Sequence, residues 1–462
     1  MLLALWSVVL FAGSGCAAPV ALTVSAPLCD SLVPLAMSGG SGRYPSAARP
    51  PAAVPAFTAR LLSAPGQARS ADDFVNSIGT NLHLSYFRTA YGTGWATIIK
   101  PKLLALGVRH VRDAGSVVDD DHWMDVVYGR MKELADQGIR FDLIVGPPRG
   151  SQDYSTLDHL SRLLQYAQPV VESFEGLNEH DLSRRPDWVS EVRSCQQALY
   201  TALKADPRTA GLPVYGPSIG HPNNAAQVGD LSRWMDYGNI HPYPGGRPPL
   251  ASLADHEDML RAVTASRPLV ATETGYHTAT GWTGDHPPVS EGAMARYVPR
   301  LFLEYFDAGI TRTFLYELID EGTSNADREQ KFGLLRADGS EKPAYTALRN
   351  LIAVVRDPGP AFTPGQLDYS LSGDTTGVES TLLQKRDGRF YLVLWQETSS
   401  YDLVRKLESQ VADRPLTLRL TRAAEVRLFL PLTSPNPTRD SPGITSLALS
   451  VPDSPLIVEI RP

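Results

Sequence analysis

The unit that decides the fold is clearest in residues 173–217, which read SFEGLNEHDLSRRPDWVSEVRSCQQALYTALKADPRTAGLPVYGP. A short apolar run, Ser173–Leu177, precedes a helical pattern, Trp188–Ala205, and a second apolar run, Val214–Pro217, follows. A strand, an amphipathic helix and another strand in this order predict two parallel strands joined by a crossover helix. The unit therefore favours a parallel sheet covered by helices.

The same alternation extends in both directions over residues 72–355. The other candidate strands are Val75–Leu84, Val108–Arg112, Phe141–Val145, Asn239–His241, Leu269–Glu273 and Arg312–Tyr316. The other candidate helices include Trp123–Gln137, Leu157–Ala167, Ser252–Ala265 and Gly292–Ala308. About eight strand–helix repeats in a stretch of this length predict an α/β fold, the (β/α)8 TIM barrel. A doubly wound open sheet is the alternative, but it would use fewer strands and a glycine-rich first turn.

The segments on either side of the barrel differ in composition. Residues 1–18 combine an apolar run with small residues, which is typical of a signal peptide and predicts a secreted or cell-surface protein. The end of that run also resembles a bacterial lipobox, which would place a lipid anchor on Cys16. Residues 19–71 are rich in Ala, Pro and Ser and are predicted to be a disordered lead-in. Residues 356–462 contain only strand-like runs and predict an antiparallel β-sandwich domain.

The composition excludes several classes of function. The chain carries 43 Lys and Arg against 50 Asp and Glu, a formal net charge of −7, without the basic footprint of a nucleic-acid-binding protein. Its three cysteines, Cys16, Cys29 and Cys195, form no CxxC motif and no Cys/His cluster. We therefore predict no metal site and no cofactor, while Cys29 and Cys195 could pair in an exported protein. The leader is a poor membrane span, and the oligomeric state is not predicted.

Two carboxylates stand where apolar strands meet the mouth of the predicted barrel. Glu179 follows the fourth strand, directly after Asn178, and Glu273 ends the seventh strand. Active sites of such barrels are built from the C-terminal ends of the strands. Hydrolysis of a glycoside needs one carboxyl group that protonates the leaving oxygen and another that attacks or stabilises the anomeric carbon. Glu179 and Glu273 are therefore the candidate catalytic pair.

Asn178-Glu179 after strand four, together with Glu273 after strand seven, resembles the signature of glycoside hydrolase clan A, retaining (β/α)8 enzymes that include families 5 and 39. The resemblance covers residues 72–353. It implies that Glu179 is the acid/base, that Glu273 is the nucleophile and that Asn178 binds the sugar 2-hydroxyl. The activity it implies is cleavage of β-glycosidic bonds in an extracellular oligo- or polysaccharide by double displacement.

Further residues match the clan in barrel order. Arg112 ends strand two, where the clan places an arginine that hydrogen-bonds the nucleophile. His241 and Tyr243 match the His-x-Tyr after strand six, whose tyrosine contacts the nucleophile. Strand eight departs from the pattern, because Tyr316 and Glu317 stand where many members carry a tryptophan. Tyr316 is the candidate sugar platform, and Glu317 either binds a sugar hydroxyl or caps a loop.

Several other residues could have either a structural or a functional role. Trp282 lies in a predicted βα-loop, where its ring could stack on a sugar or simply pack. Glu175 is predicted to be structural, as the buried partner of a lysine or arginine inside the barrel. Asn81 and His83 follow strand one and could reach the site. Asp119–Asp121 is expected to cap a helix rather than to bind calcium.

Three functions fit these features. The leading one is an exported, retaining β-glycosidase. A non-catalytic carbohydrate-binding or cell-wall-associated protein on the same fold is the second, although such a protein has no need for both glutamates. A transglycosylase is the third, because an acceptor sugar can intercept a covalent glycosyl-enzyme.

Overall fold

The computed structural model describes residues 66–146 and 157–462, apart from the side chain of Asp158. The predicted signal peptide, most of the predicted lead-in, Cys16 and Cys29 lie outside the described residues, as does the predicted pairing of Cys29. Cys195 is buried on a helix of the barrel. Within the described ranges, no helix is long and apolar enough to cross a membrane.

Eight parallel strands form a barrel, which confirms the predicted (β/α)8 fold. After the short strand β1 (Arg69–Ser70), the barrel strands are β2 (Ile78–Asn81), β3 (His110–Ala114), β4 (Arg140–Ile144), β5 (Val171–Glu175), β6 (Val214–Tyr215), β7 (Gly238–Ile240), β8 (Leu269–Thr274) and β9 (Thr313–Leu315). From β2 to β6 and from β7 to β9 each strand pairs with the next, and β9 pairs with β2. A parallel bridge between Tyr215 and Tyr237 closes the ring between β6 and β7.

Helices alternate with these strands along the chain. They are α1 (Ala71–Asn76), α2 (Ala90–Thr93), α3 (Lys100–Leu106), α4 (Asp121–Ala135), α5 (Leu160–Ala167), α6 (Trp188–Ala205), α7 (Ala225–Val228), α8 (Leu253–Thr264), α9 (Glu291–Asp307) and α10 (Pro343–Val355). The side chain of Asp120 accepts a hydrogen bond from the backbone N–H of Trp123 at the start of α4. The run of aspartates thus contains a helix cap, as the sequence predicted.

One predicted strand, Val75–Leu84, begins too early, because the structure ends a helix at Asn76 and starts β2 at Ile78. Ser70 caps that helix by accepting a hydrogen bond from the backbone N–H of Asp73 at 3.2 Å. Ala71, Phe74 and Val75 bury one face of the helix at the spacing i, i+3, i+4. The adjacent apolar pair Phe74-Val75 favours a strand by its local pattern, but the Ser70 cap starts a helix there.

The C-terminal region forms the antiparallel sheet that the sequence predicted, and its separation as a sandwich domain from residue 356 stays a prediction. This region is called the β-domain below. Its strands are β10 (Tyr369–Gly373), β11 (Val378–Gln384), β12 (Phe390–Gln396), β13 (Tyr401–Asp402), β14 (Leu407–Glu408), β15 (Arg414–Phe429), β16 (Pro437–Val451) and β17 (Leu456–Arg461). The first half of β15 pairs with β10 and its second half with β17, while β16 pairs along most of its length, so one long strand connects the parts of a single seven-stranded sheet. β1, from the residues before the barrel, pairs in parallel with β11 at the edge of this sheet.

A buried polar network joins the β-domain to α9 of the barrel. The Arg300 side chain is fully buried and donates hydrogen bonds to the carboxylates of Glu304 and Glu397. The indole N–H of Trp395, on β12, donates to Glu304 Oε1 at 3.0 Å. Because buried charges are tolerated only when they are paired, this network requires the two regions to pack in one relative position.

Candidate active site

A cavity of about 370 Å³ opens at the C-terminal ends of the barrel strands. Seven of the nine residues that the sequence singled out for the site contribute to its lining, namely Arg112, Asn178, Glu179, His241, Tyr243, Glu273 and Tyr316. Asn81, the last residue of β2, and His83, just beyond it, also line it. The cavity thus collects polar side chains from the ends of several strands, which is where active sites of this fold are found.

Glu273, near the end of β8, is held at both carboxylate oxygens. Oε1 accepts a hydrogen bond from Arg112 Nη1 at 2.7 Å, and Oε2 accepts one from the Tyr243 hydroxyl at 2.8 Å. Burial by itself would raise the pKa of Glu273, but the positive charges of His241 and Arg112 and these two hydrogen bonds lower it to about 2. Glu273 is therefore an oriented, ionised carboxylate at neutral pH.

Arg112, on β3, organises the floor of the cavity. Its Nε and Nη2 donate to the two oxygens of Glu175 at 2.6 and 2.7 Å, a bidentate pair inside the barrel. The same guanidinium donates to the amide oxygens of Asn81 at 3.0 Å and Asn178 at 2.9 Å. Glu175 is thus the buried partner of an arginine, and Arg112 fixes the orientation of both asparagines as well as that of Glu273.

Glu179 stands in the turn after β5, four residues beyond Glu175. Its backbone adopts the left-handed region, with φ of 42°, and its backbone N–H donates to Ser218 Oγ at 3.0 Å. Positive φ is uncommon outside glycine and costs roughly 1–3 kcal/mol, and such residues cluster at functional sites. A carboxylate oxygen of Glu179 and one of Glu273 lie within 4.8 Å of each other.

His241 connects Glu179 to a chain of polar groups in the barrel wall. Its Nδ1 is 2.8 Å from Glu179 Oε1, and its Nε2 is 2.9 Å from Thr272 Oγ1. The Thr272 hydroxyl donates to Asn239 Oδ1 at 2.8 Å, and Asn239 Nδ2 donates to the Gly216 carbonyl at 3.3 Å. Because a hydroxyl has one proton to donate, Thr272 must accept the Nε2–H of His241. Nδ1 then faces Glu179, and the two groups can share one proton.

The protonation of His241 is favoured by its surroundings. Burial by itself would lower the pKa of His241, but the negative charge of Glu273 and the hydrogen bond and charge of Glu179 raise it above its ordinary value. The imidazole therefore favours its protonated form and lies between the two carboxylates, with Nδ1 3.6 Å from Glu273 Oε2.

Of the three remaining candidates, Tyr316, Glu317 and Trp282, only Tyr316 is among the described residues that line the cavity. Glu317 is fully buried behind that wall, where it accepts a hydrogen bond from the Tyr91 hydroxyl at 2.7 Å, and burial raises its pKa well above the usual range. Trp282 donates its indole N–H to the Asp285 carbonyl. Among the described residues, Asp285 and Arg328 line the cavity, whereas Trp282 does not.

Several site residues were not singled out from the sequence. They include Thr272 and Asn239, which support His241, and Ser218, Arg328, Glu329, His286 and Phe332 around the cavity. A signal existed for Thr272 and Asn239, because a polar residue within a short buried strand must find a hydrogen-bond partner. For the others, which lie outside the strands, the sequence offered no comparable signal.

Comparisons with known proteins agree at the level of the fold. No protein-family model matches the chain, and no curated protein matches its sequence. Among solved structures, a family 39 glycoside hydrolase from Bacteroides cellulosilyticus WH2 is 16% identical, with a TM-score of 0.50, over 85% of this chain and 83% of that one. A glucosidase from Croceicoccus marinus is 11% identical, with a TM-score of 0.55, over 86% of this chain and 96% of that one.

A third similar structure is a family 51 α-L-arabinofuranosidase from Bifidobacterium longum. It is 12% identical, with a TM-score of 0.50, over 86% of this chain and 97% of that one. All three likenesses extend over most of both chains, beyond the length of the barrel alone. The resemblance to clan A barrels is therefore confirmed at the level of the fold.

Proposed function

We propose that this protein is a retaining glycoside hydrolase in which Glu179 is the acid/base and Glu273 is the nucleophile. The observation that carries the proposal is the approach of the two carboxylates, whose oxygens come within 4.8 Å of each other. Retaining enzymes place their carboxyl groups about 5–5.5 Å apart, whereas inverting enzymes leave about 6.5–9.5 Å for a water molecule. The cavity therefore favours direct attack by a carboxylate.

The environments of the two glutamates suit different roles. Glu273 is ionised and held at both oxygens by Arg112 and Tyr243, so one oxygen can attack the anomeric carbon without reorientation. Glu179 contacts the proton-holding His241 at 2.8 Å. In the first step Glu273 forms a bond to the anomeric carbon as the glycosidic C–O bond breaks and Glu179 protonates the leaving oxygen. In the second step water attacks that carbon, Glu179 takes a proton from the water, and the bond between the sugar and Glu273 breaks.

The substrate class is proposed from the lining of the cavity. Aromatic rings of Tyr316, Tyr243 and Phe332 stand beside amide, imidazole and carboxylate groups. Such a combination offers stacking faces to sugar rings and hydrogen bonds to their hydroxyls. We propose a β-linked oligo- or polysaccharide, with the Asn178 amide at the sugar 2-hydroxyl. Action outside the cell rests on the predicted signal peptide.

A panel of aryl β-glycosides tests the proposal. We expect turnover by the full-length protein, with the β-anomer formed first when the product is followed by proton NMR. Glu273→Gln and Glu179→Gln should lose most of this activity, whereas Glu133→Gln, which changes an exposed carboxylate on α4, should not. First formation of the α-anomer would contradict the mechanism. Sugar binding without turnover would favour the non-catalytic alternative.

A further inference from the structure

Three side chains of types that can bind a metal ion, His83, Glu317 and Glu321, lie close together at one wall of the cavity. His83 Nε2 is 3.6 Å from Glu317 Oε2 and 3.8 Å from Glu321 Oε1, and one ligand atom from each residue lies within 4.8 Å of the other two. His83 follows β2, and both glutamates follow β9. Because β2 and β9 are paired neighbours in the barrel, the cluster joins two adjacent loops.

Two buried atoms of this cluster lack a hydrogen-bond partner among the described residues. They are His83 Nε2 and Glu317 Oε1. The Glu317 side chain is 0% exposed, and only its other oxygen is bonded, to the Tyr91 hydroxyl. Buried polar atoms in native proteins are nearly always satisfied, so an imidazole nitrogen and a carboxylate oxygen left bare at one place point to a ligand.

We propose that His83, Glu317 and Glu321 bind a divalent transition-metal ion, for which Zn²⁺ is the best match. Zinc takes imidazole nitrogen and carboxylate oxygen ligands, and three protein ligands leave its fourth position to water. Tetrahedral ligands about 2.1 Å from zinc lie about 3.4 Å apart, close to the separations around His83. Ca²⁺ and Mg²⁺ prefer oxygen ligands alone, so the imidazole disfavours them.

The other group of potential ligands in the described residues is Glu179, His241 and Glu273. That group suits a metal less well, because both nitrogens of His241 and both oxygens of Glu273 already make hydrogen bonds within the protein. A metal ion would have to break these contacts. The cluster around His83 offers two atoms without a partner instead, His83 Nε2 and Glu317 Oε1. The Tyr91 hydroxyl bonds the other oxygen of Glu317, Oε2, and so orients that carboxylate beside His83.

An ion at this position would brace the cavity wall. The His83 ring lies edge-on to Tyr316, with ring centroids 5.5 Å apart, and both residues line the cavity. A metal held by His83, Glu317 and Glu321 would tie the loop after β2 to the loop after β9 and so fix both rings. The role proposed for the ion is therefore to hold these two loops together, and it does not depend on the proposed hydrolytic activity.

Zinc binding by the full-length protein tests the site. After treatment with EDTA and dialysis, the protein is titrated with ZnSO₄ in a calorimeter, and bound zinc is measured by elemental analysis. We expect one tight equivalent and a rise in the melting temperature on binding. Glu317→Gln and Glu321→Gln keep the side-chain shape and should weaken zinc binding at least tenfold while circular dichroism shows an unchanged fold. A 100-fold excess of Ca²⁺ should not displace the ion.

Matched variants separate this cluster from its neighbours. Glu329→Gln changes another carboxylate near the cavity, and Glu273→Gln alters the competing group. Both should bind zinc as the unaltered protein does. Zinc binding that survives Glu317→Gln and Glu321→Gln would overturn the proposal, as would its loss in Glu273→Gln alone. The absence of a tight equivalent, or ready displacement by Ca²⁺, would also overturn it.

Discussion

Arg112 Nη1 donates a hydrogen bond to Glu273 Oε1 at 2.7 Å, joining the strands β3 and β8 inside the barrel. The same guanidinium is held by Glu175 through two further hydrogen bonds, so its position is fixed before any substrate binds. Glu175 and Glu273 thus share one arginine, and the positive charge of His241 also stabilises the ionised form of Glu273. The orientation and ionisation of Glu273 therefore depend on a network rather than on one contact.

Replacing Glu273 by glycine should remove the nucleophile and leave space for a small anion. We expect a loss of activity on the order of 10⁴-fold or more, as when other covalent nucleophiles are removed. Azide should restore part of the turnover of an activated aryl glycoside and yield a glycosyl azide of inverted configuration. Glu273→Gln fills the same space and should not respond to azide. Azide-independent turnover near the original rate in Glu273→Gly would contradict the assignment.

Glu179→Ala should affect substrates according to their leaving groups. Aryl glycosides with poor leaving groups need a proton donor and should lose about 10²–10⁴-fold in kcat/KM. Those with good leaving groups should lose far less in the first step, because they depart without protonation. The measurement is the slope of log kcat/KM against the leaving-group pKa, which should steepen. Equal losses across the series would count against Glu179 as the acid.

Tyr243→Phe removes one hydrogen bond to the Glu273 carboxylate. A hydrogen bond to a charged group contributes about 1.5–3 kcal/mol, so kcat/KM should fall about 10- to 100-fold. The pKa of Glu273, now about 2, should rise, and the acid limb of the pH profile should move to higher pH, because the ionised form is required. Tyr276→Phe, which loses a hydrogen bond to the Arg247 carbonyl, is the control and should leave that limb in place.

Thr272→Val removes the acceptor for the Nε2–H of His241. The pKa of His241 is raised in the protein, and loss of this acceptor should lower it, since the protonated ring is then less well satisfied. The alkaline limb of the kcat/KM profile should move to lower pH, with little change in KM. Thr274→Val, on the same strand but bonded to the Pro242 carbonyl, should not shift it. An unchanged alkaline limb in Thr272→Val would show that the hydrogen bonds from His241 through Thr272 to Asn239 have only a structural role.

Arg300→Met should destabilise the junction between α9 and the β-domain. It removes the buried cation from Glu304 and Glu397, and breaking such a pair costs about 3–5 kcal/mol. Arg296 is about one-quarter exposed and pairs with Glu408 and Asp453, so Arg296→Met should cost clearly less than Arg300→Met, because its ion pairs are partly solvated. Urea unfolding of both variants measures the difference. Equal stability of the two would show that the buried network does not brace the junction.

The sequence alone determined the architecture and the central residues of the candidate site. Its alternating strand and helix periods predict the barrel. A barrel brings the C-terminal ends of its strands to one rim, independently of the paths of the loops. Arg112, Asn178, Glu179, His241, Tyr243 and Glu273 all lie at or just beyond strand ends, and the structure gathers them around one cavity. Among the described elements of the barrel, α1 differs from the sequence prediction, because the Ser70 cap starts a helix where the apolar residues favour a strand.

The tertiary structure decided what stands beside and behind those residues. Glu317 is turned into the protein, Trp282 lies apart from the cavity lining, and His83 meets two glutamates from the far end of the barrel sequence. The physical reason is that strand periodicity is a local property, whereas these contacts depend on loop paths and side-chain directions set by packing between distant segments. No motif in the sequence brings His83 together with Glu317 and Glu321, whereas the pairing of β2 with β9 does, so the metal site proposed above has no signature in the sequence.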